Sequence, residues 1–288
     1  MRKRGRRLTD DGTLWAISDL HVNHPENRSL VEQVRARSEH DWLIVAGDVA
    51  EQADEVEDCL GRLRETFARV LWVPGNHELW TDPRDPAALR GVARYDDLVE
   101  RCRRIGVCTP EDEYPIWTGP GGPVRVAGLF TLYDYSFLAP ATSDVASSLA
   151  AAYASGVVCS DENLLPADPY PSRADWCTAR VAGTRARLDA CTDGLPFVLV
   201  NHYPLVREPT RVLRYPEFAQ WCGTEQTADW HRRYPVAAVV YGHLHIPRTT
   251  WYDGVRFEEV SLGYPREWGR AGHRPGLLQQ ILPPGGRT

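Results

Sequence analysis

Five short motifs concentrate side chains able to hold divalent metal ions: Asp19-Leu20-His21, Gly47-Asp48, Gly75-Asn76-His77-Glu78, Asn201-His202 and Gly242-His243-Leu244-His245. Five of the nine histidines fall in these motifs, so the histidine content is concentrated where carboxylates and amides also occur. Two cations about 3.5–4 Å apart repel one another, and a carboxylate bridging them offsets the repulsion and fixes their spacing. Asp48 is suited to that bridge. Imidazole nitrogen mixed with carboxylate and amide oxygen, without thiolate, suits Mn or Fe, with Zn as a further candidate, better than a soft metal or an all-oxygen calcium site. Glycines at 47, 75 and 242 suit tight turns and close backbone approach.

The elements that would position these groups alternate in type. Leu14 to Ile17, Trp42 to Ala46 and Val70 to Val73 are apolar runs of strand length, each ending at a polar or glycine-containing turn. Further strands are expected at Val124 to Phe130, Phe197 to Val200 and Val236 to Tyr241. Between them, Val56, Cys59, Leu60, Leu63 and Phe67 repeat at helical spacing, as do Tyr95, Leu98, Val99, Cys102 and Ile105. Ser172, with Asp175 three residues on, predicts the start of another helix. Asp253-Gly254 between Arg248 to Tyr252 and Val255 to Val260 predicts a hairpin with a type I′ turn. The class is therefore α/β, and all five motifs fall at strand C-terminal ends, the edge where such sheets gather ligands.

The length of 288 residues with 43% hydrophobic content supports one domain over 13–270. Segment 131–171, rich in alanine, serine, proline and aromatics, reads as an inserted cap with a short helix from Ser143 to Ala154. Residues 1–12 read as a disordered basic tail and 271–288 as a partly ordered tail. A net charge of −6 argues against an obligatory nucleic-acid partner, and no apolar run is long enough to span a membrane. Seven cysteines without a C-x-x-C pair suggest neither a disulfide framework nor a zinc knuckle, so a reducing cytoplasm is the expected setting.

Taken in order, the five motifs resemble the calcineurin-like metallophosphoesterase superfamily over Asp19 to His245. The resemblance implies a four-layer α/β/β/α sandwich of two mixed sheets covered by helices. It implies Asp19, His21, Asp48 and His245 on one metal and Asp48, Asn76, His202 and His243 on the other. It also places His77 toward the substrate phosphate as a non-ligand, catalytic with Asp48, and leaves Glu78 a structural part. The implied reaction is attack on phosphorus by a hydroxide bridging the two ions, in line with the ester oxygen. His77 would hydrogen-bond the phosphoryl group or protonate the leaving oxygen.

Residues beyond the motifs are similar to those of the actinobacterial phosphopantetheinyl hydrolases: Leu14-Trp15-Ala16-Ile17-Ser18, Trp80, Tyr133-Asp134-Tyr135-Ser136, Trp221-Cys222-Gly223-Thr224 and Gly263-Tyr264-Pro265-Arg266-Glu267-Trp268. That resemblance implies a holo acyl or peptidyl carrier protein as partner, with the phosphodiester of its 4′-phosphopantetheine as substrate. Tyr133, with Tyr135 and Phe137, is then the expected apolar wall for the pantetheine arm, and Arg248 and Arg266, with Arg207, the expected contacts to an acidic carrier. The motifs leave open a general phosphatase or a cyclic-nucleotide or nucleic-acid phosphodiesterase. A scaffold without activity would sit poorly with a complete ligand set.

Overall fold

The apolar runs form short strands because each is buried on both faces, the condition under which parallel strands lose the polar alternation of half-exposed ones. A computed structural model describes residues 12–82, 84, 88–268 and 277–285. Among these residues there are ten strands: β1 (Leu14–Ile17), β2 (Trp42–Val45), β3 (Arg69–Trp72), β4 (Ile116–Trp117), β5 (Val124–Gly128), β6 (Phe197–Val200), β7 (Val236–Tyr241), β8 (Arg248–Tyr252), β9 (Val255–Glu259) and β10 (Gln279–Leu282). The helices are α1 (Pro25–Val31), α2 (Ala53–Thr66), α3 (Gly91–Arg104), α4 (Val145–Ala154), α5 (Asp161–Leu164), α6 (Arg173–Asp189), α7 (Trp230–Arg233) and α8 (Pro265–Trp268).

The strands make two mixed sheets, ordered β10-β1-β2-β3 and β4-β5-β6-β7-β9-β8. Strands β1 to β3 are parallel, as are β5, β6, β7 and β9, while β10, β4 and β8 pair antiparallel at the edges. Alternate residues divide between two cores. Leu14, Ala16, Ile44, Ala46 and Leu71 pack with Val126, Val198, Val200 and Val240 between the sheets. Their neighbours Trp15, Ile17, Leu43, Val45 and Trp72 turn outward onto Val56, Leu60 and Leu63 of α2 and Tyr95 and Leu98 of α3. The period of two in each strand thus generates the four-layer α/β/β/α sandwich.

At the ligand edge the sheets are tied together: Ser18 N–H donates to Val260 O at 3.0 Å and Leu262 N–H to Ser18 O at 2.8 Å. The Asp253-Gly254 pair has the two positive φ values of a type I′ turn, 51° and 80°. Ser172 caps α6, its Oγ accepting from Asp175 N–H at 3.1 Å.

Two expectations need amendment. Gln279–Leu282 of the presumed C-terminal tail is an edge strand against β1, its Ile281 and Leu282 buried between the sheets; the rest of 271–288 apart from 277–285, and residues 1–11 of the basic tail, lie outside the described residues. In segment 131–171 the short helix is α4, capped by Asp144 and Ser147, but Tyr133, Tyr135 and Phe137 point into the core. All seven cysteines are free, and burial pushes the Cys59 thiol on α2 up to about 12, as for a thiol used as a small hydrophobe.

Candidate metal centre

Loops leaving five parallel strands bring the motifs to one point. Asp19 N–H donates to Gly47 O at 2.9 Å, His21 N–H to Asp48 O at 3.0 Å, and Gly242 N–H to His202 O at 2.9 Å, so the first two motifs, and the last two, hold each other's backbones. Two glycines are required by this crowding. A Cβ on Gly75 would sit 2.1 Å from Asp48 Oδ1, and one on Gly242 would sit 2.3 Å from Asp19 Oδ2. Asp19, His21, Asp48, His243 and His245 all have positive φ, between 41° and 70°. For residues with a Cβ this left-handed backbone costs on the order of 1–2 kcal/mol each, which marks the loops as shaped for function.

The donor atoms converge in overlapping groups. Asp19, His21 and His245 bring ligand atoms within 4.8 Å of one another, as do Asp19, Asp48 and His202, and His21, Asp48 and His77. His245 Nε2 is 3.0 Å from Asp19 Oδ1 and 3.3 Å from His21 Nε2. His202 Nε2 is 3.5 Å from Asp48 Oδ2 and 3.2 Å from His243 Nδ1. Asp48 Oδ2 is also 3.9 Å from His21 Nε2, which places this one oxygen between the two groups.

Outer contacts settle which atoms face inward. His202 Nδ1 is 2.9 Å from the carbonyl of Ala46, which can only accept, so Nδ1 carries the proton and Nε2 presents its lone pair. His245 Nδ1 is held at 2.7 Å by Glu267, leaving its Nε2 for the centre. Asn76 donates through Nδ2 to Asp161 at 3.0 Å, and its buried Oδ1 has no hydrogen-bond partner among the described residues. Imidazole nitrogens, carboxylate oxygens and an unpartnered amide oxygen gathered this closely are a fit for cations. Electrostatics divide the four histidines that would hold metal: His245, desolvated but set between the Asp19 and Glu267 carboxylates, is raised well above the ordinary histidine value, and the other three are lowered. Burial and the neighbouring His77 bring the His21 pKa down to about 2, and burial likewise lowers those of His202 and His243, so these imidazoles stay neutral. Burial, with the charges of Glu78 and Asp19, raises that of Asp48 well above the usual carboxylate range, a repulsion that bound dications relieve.

Three supporting carboxylates complete the centre. Glu78 accepts from the N–H groups of Asp48, Val49 and Gly75 at 2.9–3.0 Å and from Trp72 Nε1 at 3.3 Å, so it holds the loops that carry Asp48 and Asn76. The sequence hinted at this role. Glu267 and Asp161 carried no such signal. Asp161, fully buried in α5, accepts from Asn76 Nδ2, from Trp80 Nε1 at 2.7 Å and from the Tyr133 hydroxyl at 3.0 Å. Asp161→Ala leaves the buried Asn76 and Tyr133 donors unpaired, at about 1–3 kcal/mol each, along with the half-buried Trp80 Nε1, and frees the Asn76 amide to turn. Its expected effects are a lower thermal midpoint by calorimetry and metal affinity weakened about 10–100-fold in a chelator competition.

The centre lies in an open cleft of about 770 Å³ lined by Trp80, Val157, Val158, Leu213, Phe218 and Tyr264, among others. Of the three expected substrate contacts, Arg266 lines this cleft. Tyr133 does not. It is fully buried because its hydroxyl is the partner of Asp161 and its ring packs on Tyr135 and Tyr203. Arg248 is also displaced from the expected rim, since edge strand β8 directs it to the carbonyl of Pro209 at 2.9 Å, beside a separate small cavity. Arg207 is spent on the carbonyl of Leu138. His77 Nε2 is 3.8 Å from Asp48 Oδ2, and its ring packs on Trp80 with centroids 3.7 Å apart and 32° between the planes.

A four-layer sandwich with these donors at its ligand edge defines a class. Residues 12–247 match the calcineurin-like phosphoesterases, and the chain belongs to that family of metal-dependent phosphoesterases. Within it, the chain is 57% identical over 272 residues to the [acyl-carrier-protein] phosphodiesterase PptH of Mycobacterium tuberculosis, covering 94% of this chain and 83% of the relative. The crystal structure of phosphopantetheinyl hydrolase (PptH) from M. tuberculosis is similar over 98% of this chain and 99% of that one, with a TM-score of 0.94 at 55% identity.

Proposed function

We propose that this chain is a phosphodiesterase that releases 4′-phosphopantetheine from holo acyl or peptidyl carrier proteins, using two divalent cations, with Mn or Fe favoured and Zn a further candidate. The observation that carries the proposal is the 57% identity to the M. tuberculosis enzyme over 94% of the chain, which includes every motif of the donor set. Bound there, two cations would supply the charge that polarises a phosphoryl group and acidifies water. Asp19, His21 and His245 would hold one, Asn76, His202 and His243 the other, and Asp48 both. His77 would stay off the metals and donate to the phosphoryl group or the leaving oxygen, its ring braced by Trp80.

The mouth of the cleft suits a substrate carried on a protein. Val158 is 70% exposed and Tyr215 50% exposed there, beside Arg214 and Arg266. Exposed apolar side chains flanked by cations are what a protein-borne anionic ester would meet. In this proposal segment 131–171 serves as the cap, contributing Val157 and Val158 to the wall. Seven unpaired thiols suit a reducing cytoplasm. Among the described residues no helix is long and apolar enough to cross a membrane.

Mass spectrometry of holo carrier proteins incubated with Mn-loaded enzyme tests the substrate. The expected result is conversion to the apo form, with the serine hydroxyl restored and the phosphate leaving on the pantetheine. Intact holo protein across several carriers, with a chromogenic diester still cut, would rule out this substrate and favour a general or cyclic-nucleotide phosphodiesterase. A parallel panel of mono-, di- and cyclic esters would then rank those activities.

A further inference from the structure

Tyr264 enters the centre without belonging to any of the five motifs. It follows β9 and precedes α8, where Gly263 turns the chain back over the ligands with a φ of 76°. Its ring stacks on His21 at 4.4 Å with 21° between the planes, and meets His245 edge-on at 4.8 Å. The backbone of this turn is fixed from three sides. Gly263 N–H donates to Asp19 O at 3.1 Å. Asn27 Nδ2 donates to Gly263 O at 2.9 Å. Tyr264 N–H donates to Glu267 Oε2 at 2.8 Å, the same carboxylate that orients His245. The phenol is therefore carried by the framework that orients the ligands, and a donor held this way needs little reorganisation when charge develops beside it.

The Tyr264 hydroxyl has one hydrogen-bond partner among the described residues, His77 Nε2, at a long 3.3 Å. Both residues line the cleft. Two polar groups from separate loops, one after β3 and one after β9, thus meet next to Asp48, whose Oδ2 is 3.8 Å from His77 Nε2. A phenol is protonated at neutral pH and so acts as a donor. An anionic oxygen entering between the pair would exchange one long contact for two charge-assisted bonds.

We propose that Tyr264 is a catalytic residue whose hydroxyl donates to a non-bridging phosphoryl oxygen of the substrate, side by side with His77. No bond to the tyrosine forms or breaks. The assignment rests on the phosphoester-hydrolase reading above but not on which ester is cut.

Tyr264→Phe keeps the stack on His21 and deletes only the hydroxyl, whereas Tyr264→Leu deletes both. In Mn-loaded protein the Phe variant is expected to keep its metal content and thermal midpoint. It should bind inorganic phosphate about tenfold more weakly and turn over a chromogenic phosphodiester about 10²-fold more slowly. Combined with His77→Ala, its loss should be less than the product of the two single losses, because the two groups act on one oxygen. Phosphate affinity and turnover both within twofold of wild type would overturn the assignment. So would losses that follow metal content in the Phe and Leu variants alike, since Tyr264 would then only support His21. Phosphate binding reports on Tyr264 whatever the ester, so a wild-type protein that binds phosphate but cuts no diester would refute the phosphodiesterase reading separately.

Discussion

Replacing Asp48 by asparagine is expected to lower kcat/KM for a phosphodiester by at least about 10³-fold, the upper end of what losing one electrostatic stabiliser costs. The side chain is nearly the same shape, so packing is unchanged, but one charge is gone and one oxygen becomes an amide. Whichever way the amide turns, it loses something. Its NH₂ would face either the His77 N–H that Asp48 Oδ1 now accepts from at 3.0 Å, or the histidine nitrogens gathered 3.5–3.9 Å around Oδ2. Stability should move the other way when metal is removed. In the metal-free protein the Asp48 carboxylate is buried near Asp19 and Glu78, and that crowding disfavours its charge. With chelator present, the Asp48→Asn protein is therefore expected to unfold at or above the wild-type temperature, and with Mn present below it. Thermal unfolding under both conditions, alongside the kinetics, checks the pair of signs.

His77→Ala is expected to lose about 10²–10⁴-fold in kcat, the usual worth of a positioned proton donor, while keeping its metal content. This separates two roles that distance alone leaves together. His77 has a ring nitrogen close enough to His21 and Asp48 to share a cation with them, yet its Nε2 also faces the Tyr264 hydroxyl and its ring packs at a tilt on Trp80. Metal counting on the purified variant, run beside its kinetics, distinguishes a donor from a ligand. A protein short of one cation would make His77 a ligand.

The strands were legible because parallel strands buried on both faces are continuous apolar runs, and Leu14 to Ile17, Phe197 to Val200 and Val236 to Tyr241 have the predicted limits. The turn at Asp253-Gly254 and the cap at Ser172 were legible because few residue types satisfy those backbones. The positions of the converging donor side chains were legible for a related reason, since each lies a few residues beyond such a strand. Other features depend on contacts that no local pattern records. Asp161 orients Asn76 across 85 positions of sequence, and Glu267 orients His245 from beyond β9. Tyr133 looked like a wall of the cleft because aromatic segments often line pockets, but its hydroxyl has a buried carboxylate to satisfy, and that draws it inside. Arg248 could not be placed without knowing that β8 is an edge strand reaching across to Pro209. Strand β10 was missed because Gln279-Gln280-Ile281-Leu282 is half polar, as an edge strand allows, and follows a stretch rich in glycine and arginine.

One oxygen, Asp48 Oδ2, lies between two groups of candidate ligands. Crystals grown with Mn and measured for anomalous scattering test this most directly. The expected map has two peaks, one on each side of Asp48 and about 3.5–4 Å apart, the first among Asp19, His21 and His245 and the second among Asn76, His202 and His243. A single peak at full Mn occupancy, or two peaks that do not share Asp48, would contradict it.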